Sequence, residues 1–123
     1  MSLRILVVED ENIVAADLAS KLNRLGHEVV GMAASGEEAV SLAKNVRPEL
    51  VLMDIRLRGP MEGTEAASHI QRDTGAPVIF ITAYAEIFLR DPTLMKAPGL
   101  CLSKPFSIHQ LRVVLDTVDS DRN

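Results

Sequence analysis

A chain of 123 residues is expected to form a single domain over residues 1–123, with room for a real core. Hydrophobic residues make up 47% with no Trp, so that core must be aliphatic, and a formal charge of −4 without a basic stripe argues against a nucleic-acid surface. One cysteine, Cys101, excludes an internal disulfide and suits a reducing, cytoplasmic setting; no signal peptide or membrane span is expected either.

Five short apolar runs alternate with helical or mixed segments. The first, Leu3 to Val8, is followed by the acidic triplet Glu9-Asp10-Glu11 and a helical pattern from Asn12 to Leu25, closed by Gly26 as a C-terminal cap. The second, Glu28 to Ala33, leads into Ser35-Gly-Glu-Glu38, which has the form of a capping box and opens a helix to about Val46. Pro48 starts the third run, Glu49 to Met53, whose continuous apolar character predicts burial on both faces, as in a parallel sheet. A Gly/Pro loop, Arg58 to Met61, precedes a helix from about Gly63 to Asp73. The fourth run is Pro77 to Thr82. The next segment, Glu86 to Pro98, is a poor helix, and a short one near Pro92 to Ala97 is expected there. Leu100 to Leu102 is the fifth run, and a second capping box at Ser107 opens a helix to about Asp119.

Strand-helix alternation of this kind predicts an open parallel sheet with helices on both faces, and ligands in such sheets bind beyond the carboxyl ends of the strands. The residues past runs one, three, four and five are then the candidates: the acidic triplet, Asp54, Thr82 and Lys104. Clustered carboxylates repel unless a cation or proton neutralises them, and Mg2+ typically takes one or two carboxylates while keeping places for water and phosphate. Glu9, Asp10 and Asp54 meet that description. A carboxylate can attack phosphorus to give an aspartyl phosphate, with a lysine neutralising charge on the phosphoryl oxygens and a threonine hydroxyl adding a hydrogen bond. Each part alone has an ordinary reading. An acidic run after a strand is usually a solvated turn or helix start, a lone Asp is a cap, Thr82 bonds to its own turn, and Lys104-Pro105 is a loop. Their joint occurrence at these strand ends overturns those readings.

Val7-Val8-Glu9-Asp10-Glu11, Leu52-Met53-Asp54, Ile81-Thr82-Ala83 and Lys104-Pro105-Phe106 resemble the signature blocks of response-regulator receiver domains, the CheY-like superfamily of two-component signalling. The resemblance spans essentially the whole chain. It implies a flavodoxin-like (βα)5 doubly wound parallel sheet with strand order 2-1-3-4-5, and a signalling receiver in place of an enzyme with a separate substrate. It further implies Asp54 as phosphoacceptor, with Mg2+ held directly by Asp10, through water by Glu9, and by Asp54 and the backbone carbonyl of Arg56. Thr82 and Lys104 would contact the phosphoryl oxygens, and the Lys104–Pro105 peptide bond would be cis. The implied partners are a sensor histidine kinase or a phosphotransfer protein, for a cytoplasmic monomer or weak homodimer that contacts neither nucleic acid nor membrane.

Three features depart from the common receiver pattern. The loop from Ile55 to Gly63 is longer by a residue, and resembles a branch found alone or attached to sensor kinases. The fourth helix is weak. Cys101 stands where most receivers place an aromatic reporter, so Tyr84 and the segment behind it are the alternative moving element. Arg56 and Tyr84, two residues past Asp54 and Thr82, are expected to flank the phosphoryl group and slow its hydrolysis. His27, His69 and His109 read as surface or partly buried structural residues, and Cys101 as a buried, inert thiol. A haloacid-dehalogenase phosphohydrolase would need Asp-x-Asp after the first strand, where this chain has Glu-Asp-Glu. An interaction module that never takes phosphate is opposed by the intact Asp10, Asp54, Thr82 and Lys104, and a dinucleotide-binding unit by the missing Gly-rich turn.

Overall fold

Ile5 and Val7 point to one side of a sheet and Leu6 and Val8 to the other, and all four are buried. That double burial is why the first apolar run shows no alternation. The computed structural model describes residues 2–55, 57, 59–82 and 101–121, with the backbone alone at 82, 101, 103, 120 and 121. The elements run β1 (Arg4–Val8), α1 (Asn12–Arg24), β2 (Glu28–Ala33), α2 (Gly36–Val46), β3 (Leu50–Asp54), α3 (Gly63–Thr74), β4 (Val78–Thr82), β5 (Cys101–Ser103) and α4 (Ile108–Asp121). The five strands form a parallel sheet in the order β2-β1-β3-β4-β5, as the sequence and its resemblance predict. The expected helix near Pro92 to Ala97 lies outside the described residues.

Two aliphatic layers hold the sheet. On one side Ala39 and Ala43 of α2 and Ala66, Ala67 and Ile70 of α3 pack on Leu6, Val8, Val51, Met53, Val78 and Phe80. Small alanines there let both helices approach the strands closely. On the other side Leu18 and Leu22 of α1 and Leu111 and Leu115 of α4 cover Ile5, Val7, Leu50, Leu52, Ile79 and Ile81. Fully burying one such side chain stabilises by about 1.5–3 kcal/mol, so the two layers are the main source of stability.

Local chemistry sets the helix ends. Ser35 Oγ accepts from the Glu38 N–H at 3.2 Å. At Ser107 the capping box is reciprocal: its Oγ accepts from the Gln110 N–H at 3.1 Å, and its own N–H donates to Gln110 Oε1 at 2.8 Å. Gly26 follows α1 at φ +89°, a backbone conformation that costs a glycine little. One cap is contributed from far along the chain: the Arg4 guanidinium donates to the carbonyls of Val46 and Arg47, at 2.6 and 2.8 Å, where α2 ends.

His27 is more deeply enclosed than the sequence suggests, with only 9% of its surface exposed. Its Nδ1 accepts from the Leu3 N–H at 3.0 Å and so ties the start of β1 to the turn before β2. Burial, and then the nearby N-terminal charge, hold its pKa below the ordinary 6.5, against the opposing pull of Asp119 and Asp116. A folded-state pKa below the unfolded one means that the unfolded chain binds the extra proton, so stability is full above the unfolded value and falls as pH drops below it. His27→Ala should therefore destabilise the protein by about 1–3 kcal/mol near neutral pH, by leaving a buried N–H unsatisfied. Urea titrations should show that difference shrinking as pH falls below the ordinary histidine range. A difference independent of pH would refute the assignment.

Candidate functional site

Four strand ends meet at the carboxyl edge of the sheet. β1 stops at Val8, and the next residue, Glu9, donates its N–H to the Ala33 carbonyl at 2.9 Å, which fixes its backbone against β2. The chain then bends through Asp10 into α1, whose N-cap Glu11 makes no side-chain capping bond. The acidic triplet is thus no ordinary helix cap, and Glu9 is buried. Asp54 is the last residue of β3 and pairs with Ile81 of β4. Thr82 ends β4; its side chain lies outside what is described, as do Arg56, Tyr84 and the Cys101 side chain. Lys104 follows β5 directly, and its bond to Pro105 is cis, as the resemblance implies.

Lys104 belongs to the far side of β4, yet its long stem carries the ammonium across to the other two strands. Nζ donates to Asp54 Oδ2 at 2.9 Å and to Glu9 Oε2 at 3.2 Å. All three groups are largely shielded, with side-chain exposures of 23% for Lys104, 12% for Asp54 and 4% for Glu9. Burial works against the ammonium, but the hydrogen bond and charge of Asp54, and then those of Glu9, outweigh it and hold Lys104 above the ordinary lysine value. For Glu9 burial comes first and the Asp54 carboxylate adds to it; together they raise its pKa from 4.5 to about 7 despite Lys104.

Carboxylate oxygens of Glu9, Asp10 and Asp54 all lie within 4.8 Å of one another. Glu9 Oε1 is buried and has no hydrogen-bond partner among the described residues. A buried carboxylate oxygen without a donor is costly, and clustered carboxylates repel unless a cation or proton neutralises them. The donor set consists of hard oxygens with one position unsatisfied, and this suits a hard divalent cation. Beside it runs a cleft of about 410 Å³, with Glu9, Val14, Leu18, Ile81, Lys104 and Phe106 among its walls.

The structure brings together Glu9, Asp10, Asp54 and Lys104 from the sequence-derived candidates. Two features were not foreseen. One is the ion pair between Lys104 and Glu9, which lie 95 residues apart. The other is Gly63, read only as a helix start, which packs against the peptide after Asp54. The signal for the first was a carboxylate placed directly behind an apolar strand; for the second, a glycine opening a helix.

Among the described residues no helix is long and apolar enough to cross a membrane. Residues 5–116 match the family model for the response regulator receiver domain. The phyllosphere-induced regulator PhyR of Methylorubrum extorquens is 38% identical over 116 residues, covering 94% of this chain and 43% of that protein. The transcriptional regulatory protein PdtaR of Mycobacterium tuberculosis is 39% identical over 108 residues, covering 88% of this chain and 52% of its own length. The chain therefore spans about half the length of these relatives. The solution structure of the PhyR receiver domain from Erythrobacter litoralis superposes with a TM-score of 0.86 at 32% identity, over 97% of this chain and 91% of that one. On these grounds the chain belongs to the response regulator receiver domains, the signalling regulators of two-component systems.

Proposed function

We propose that this receiver takes a phosphoryl group onto Asp54 from a histidine kinase or phosphotransfer protein, with Mg2+ held by Glu9, Asp10, Asp54 and the Arg56 carbonyl. One observation carries the reading. The Asp54 carboxylate ends a central strand, 2.9 Å from the Lys104 ammonium and within 4.8 Å of two further carboxylates. In the transfer an Asp54 oxygen forms a bond to phosphorus while the bond from phosphorus to the donor's imidazole nitrogen breaks; that nitrogen keeps the electron pair, and the ring, protonated from water at its other nitrogen, leaves as neutral imidazole. Lys104 neutralises charge on the phosphoryl oxygens, and the Thr82 hydroxyl, at the end of β4, is assigned a hydrogen bond to one of them. When bound, Mg2+ supplies electrostatic stabilisation of the phosphoryl oxygens that the lysine does not reach. Glu9, largely out of water, fits a role through a bridging water, and Asp10 a direct one.

The 123 residues act in this reading as one receiver unit, monomeric or weakly dimeric, cytoplasmic, and without direct contact to nucleic acid. Slow hydrolysis of the phosphoryl group, through flanking by Arg56 and Tyr84, belongs to the same proposal. The test is incubation with acetyl phosphate and Mg2+, followed by intact-mass spectrometry. A one-to-one, hydroxylamine-labile adduct is expected, and Asp10→Ala should slow its formation about 10²-fold while weakening Mg2+ binding. Undiminished Mg2+ affinity in that variant would remove Asp10 from the direct ligands.

A further inference from the structure

Gly63, the first residue of α3, is buried. Its N–H donates to the Ile55 carbonyl at 3.0 Å. A Cβ at this position would lie 2.4 Å from the Asp54 carbonyl oxygen, 2.8 Å from Ile55 Cα and 2.9 Å from the Ile55 carbonyl oxygen. All three are backbone atoms, so no side-chain rotation can relieve the overlap. Gly31 shows the contrast: a Cβ there would meet only the flexible side chains of Leu42 and Leu6.

The peptide that Gly63 touches is the one that carries Asp54. In the plane of the sheet that strand end is held by pairing between Asp54 and Ile81 and between Met53 and Val8. Out of the plane, the first turn of α3 bears on it through Gly63. We propose that Gly63 is a positioning residue for Asp54: its missing side chain lets α3 seat on the Asp54–Ile55 peptide and so fixes the carboxylate against Lys104 and its acidic neighbours. The inference rests on Asp54 being the phosphoacceptor. A side chain at residue 63 forces that peptide or the helix to move by on the order of 1 Å, and a displacement of that size costs about 10²-fold in a reaction that depends on alignment.

The test compares wild type, Gly63→Ala and Ile70→Val, the last a cavity-forming change two turns along the same buried face of α3. Each full chain is assayed for folding by circular dichroism, for Mg2+ affinity by NMR titration, and for labelling rate with acetyl phosphate. Gly63→Ala should fold, label about 10- to 100-fold more slowly and bind Mg2+ several-fold more weakly, with Ile70→Val at the wild-type rate. Labelling of Gly63→Ala within about twofold of wild type, or equal slowing by Ile70→Val, would overturn the proposal. If Gly63→Ala is unfolded in buffer, the assays are repeated in trimethylamine N-oxide, which favours the compact state. A chain still unfolded there assigns Gly63 to the fold alone and also overturns it. Should wild type itself fail to label, the phosphoacceptor reading fails instead, and the Mg2+ titration still reports whether Gly63 sets the site's geometry.

Discussion

Asp54→Asn should reduce labelling by acetyl phosphate to background while leaving the protein folded. Asn keeps the shape of the side chain and a carbonyl oxygen that can still accept from Lys104, which stands 2.9 Å from Asp54 Oδ2. It lacks the anionic oxygen that attacks phosphorus, and no other group can supply one in the same place. Glu9 is the nearest competitor by chemistry, but its side chain is only 4% exposed, against 12% for Asp54. The substitution also removes one carboxylate from a crowded cluster, so Glu9 should titrate lower in the variant, a shift that NMR can read. Residual labelling at the wild-type rate would mean that a different carboxylate is the acceptor.

Lys104→Met should slow labelling about 10²- to 10³-fold, the scale on which losing one preorganised charge contact in a transition state is felt. Met preserves the length and apolar character of the stem, so packing around it changes little. The charge is what disappears, and with it the ammonium that, among the described residues, is hydrogen-bonded to both Glu9 and Asp54. Removing the ammonium from these partly buried carboxylates should also destabilise the protein by about 1–3 kcal/mol, a loss that added Mg2+ should largely restore. Stopped-flow labelling and urea titrations with and without Mg2+ measure the two effects separately. A variant that labels normally would assign Lys104 to structure alone.

Much of this was readable from residue order. The apolar runs Leu3 to Val8 and Glu49 to Met53 announced strands buried on both faces, because a parallel sheet covered by helices leaves them no solvent side. Ser35 and Ser107 announced helix starts because a capping hydroxyl acts within three residues, a distance that sequence reports directly. Asp54, Lys104 and the acidic pair followed from the rule that ligands gather at the carboxyl edge.

The remainder depends on distant parts of the chain. His27, flanked by Gly26 and Glu28, has the look of a turn residue; its buried hydrogen bond is donated by Leu3, 24 residues earlier. The shift on Glu9 needs both Asp54 and burial, and neither is visible in Val-Val-Glu-Asp. Arg4 as a cap for α2 requires β1 to run beneath that helix's last carbonyls. Gly63 matters because α3 closes onto the end of β3, an approach set by packing of the alanine-rich face and not by any local pattern.

The most direct measurement locates the phosphoryl group. Wild-type protein labelled with acetyl phosphate and Mg2+ is reduced with borohydride, which converts an aspartyl phosphate to homoserine, and its peptides are sequenced by mass spectrometry. Homoserine at position 54, and at no other acidic residue, is the predicted result. Unmodified Asp54, with the reduced residue at position 9 or 10 or nowhere, would contradict it.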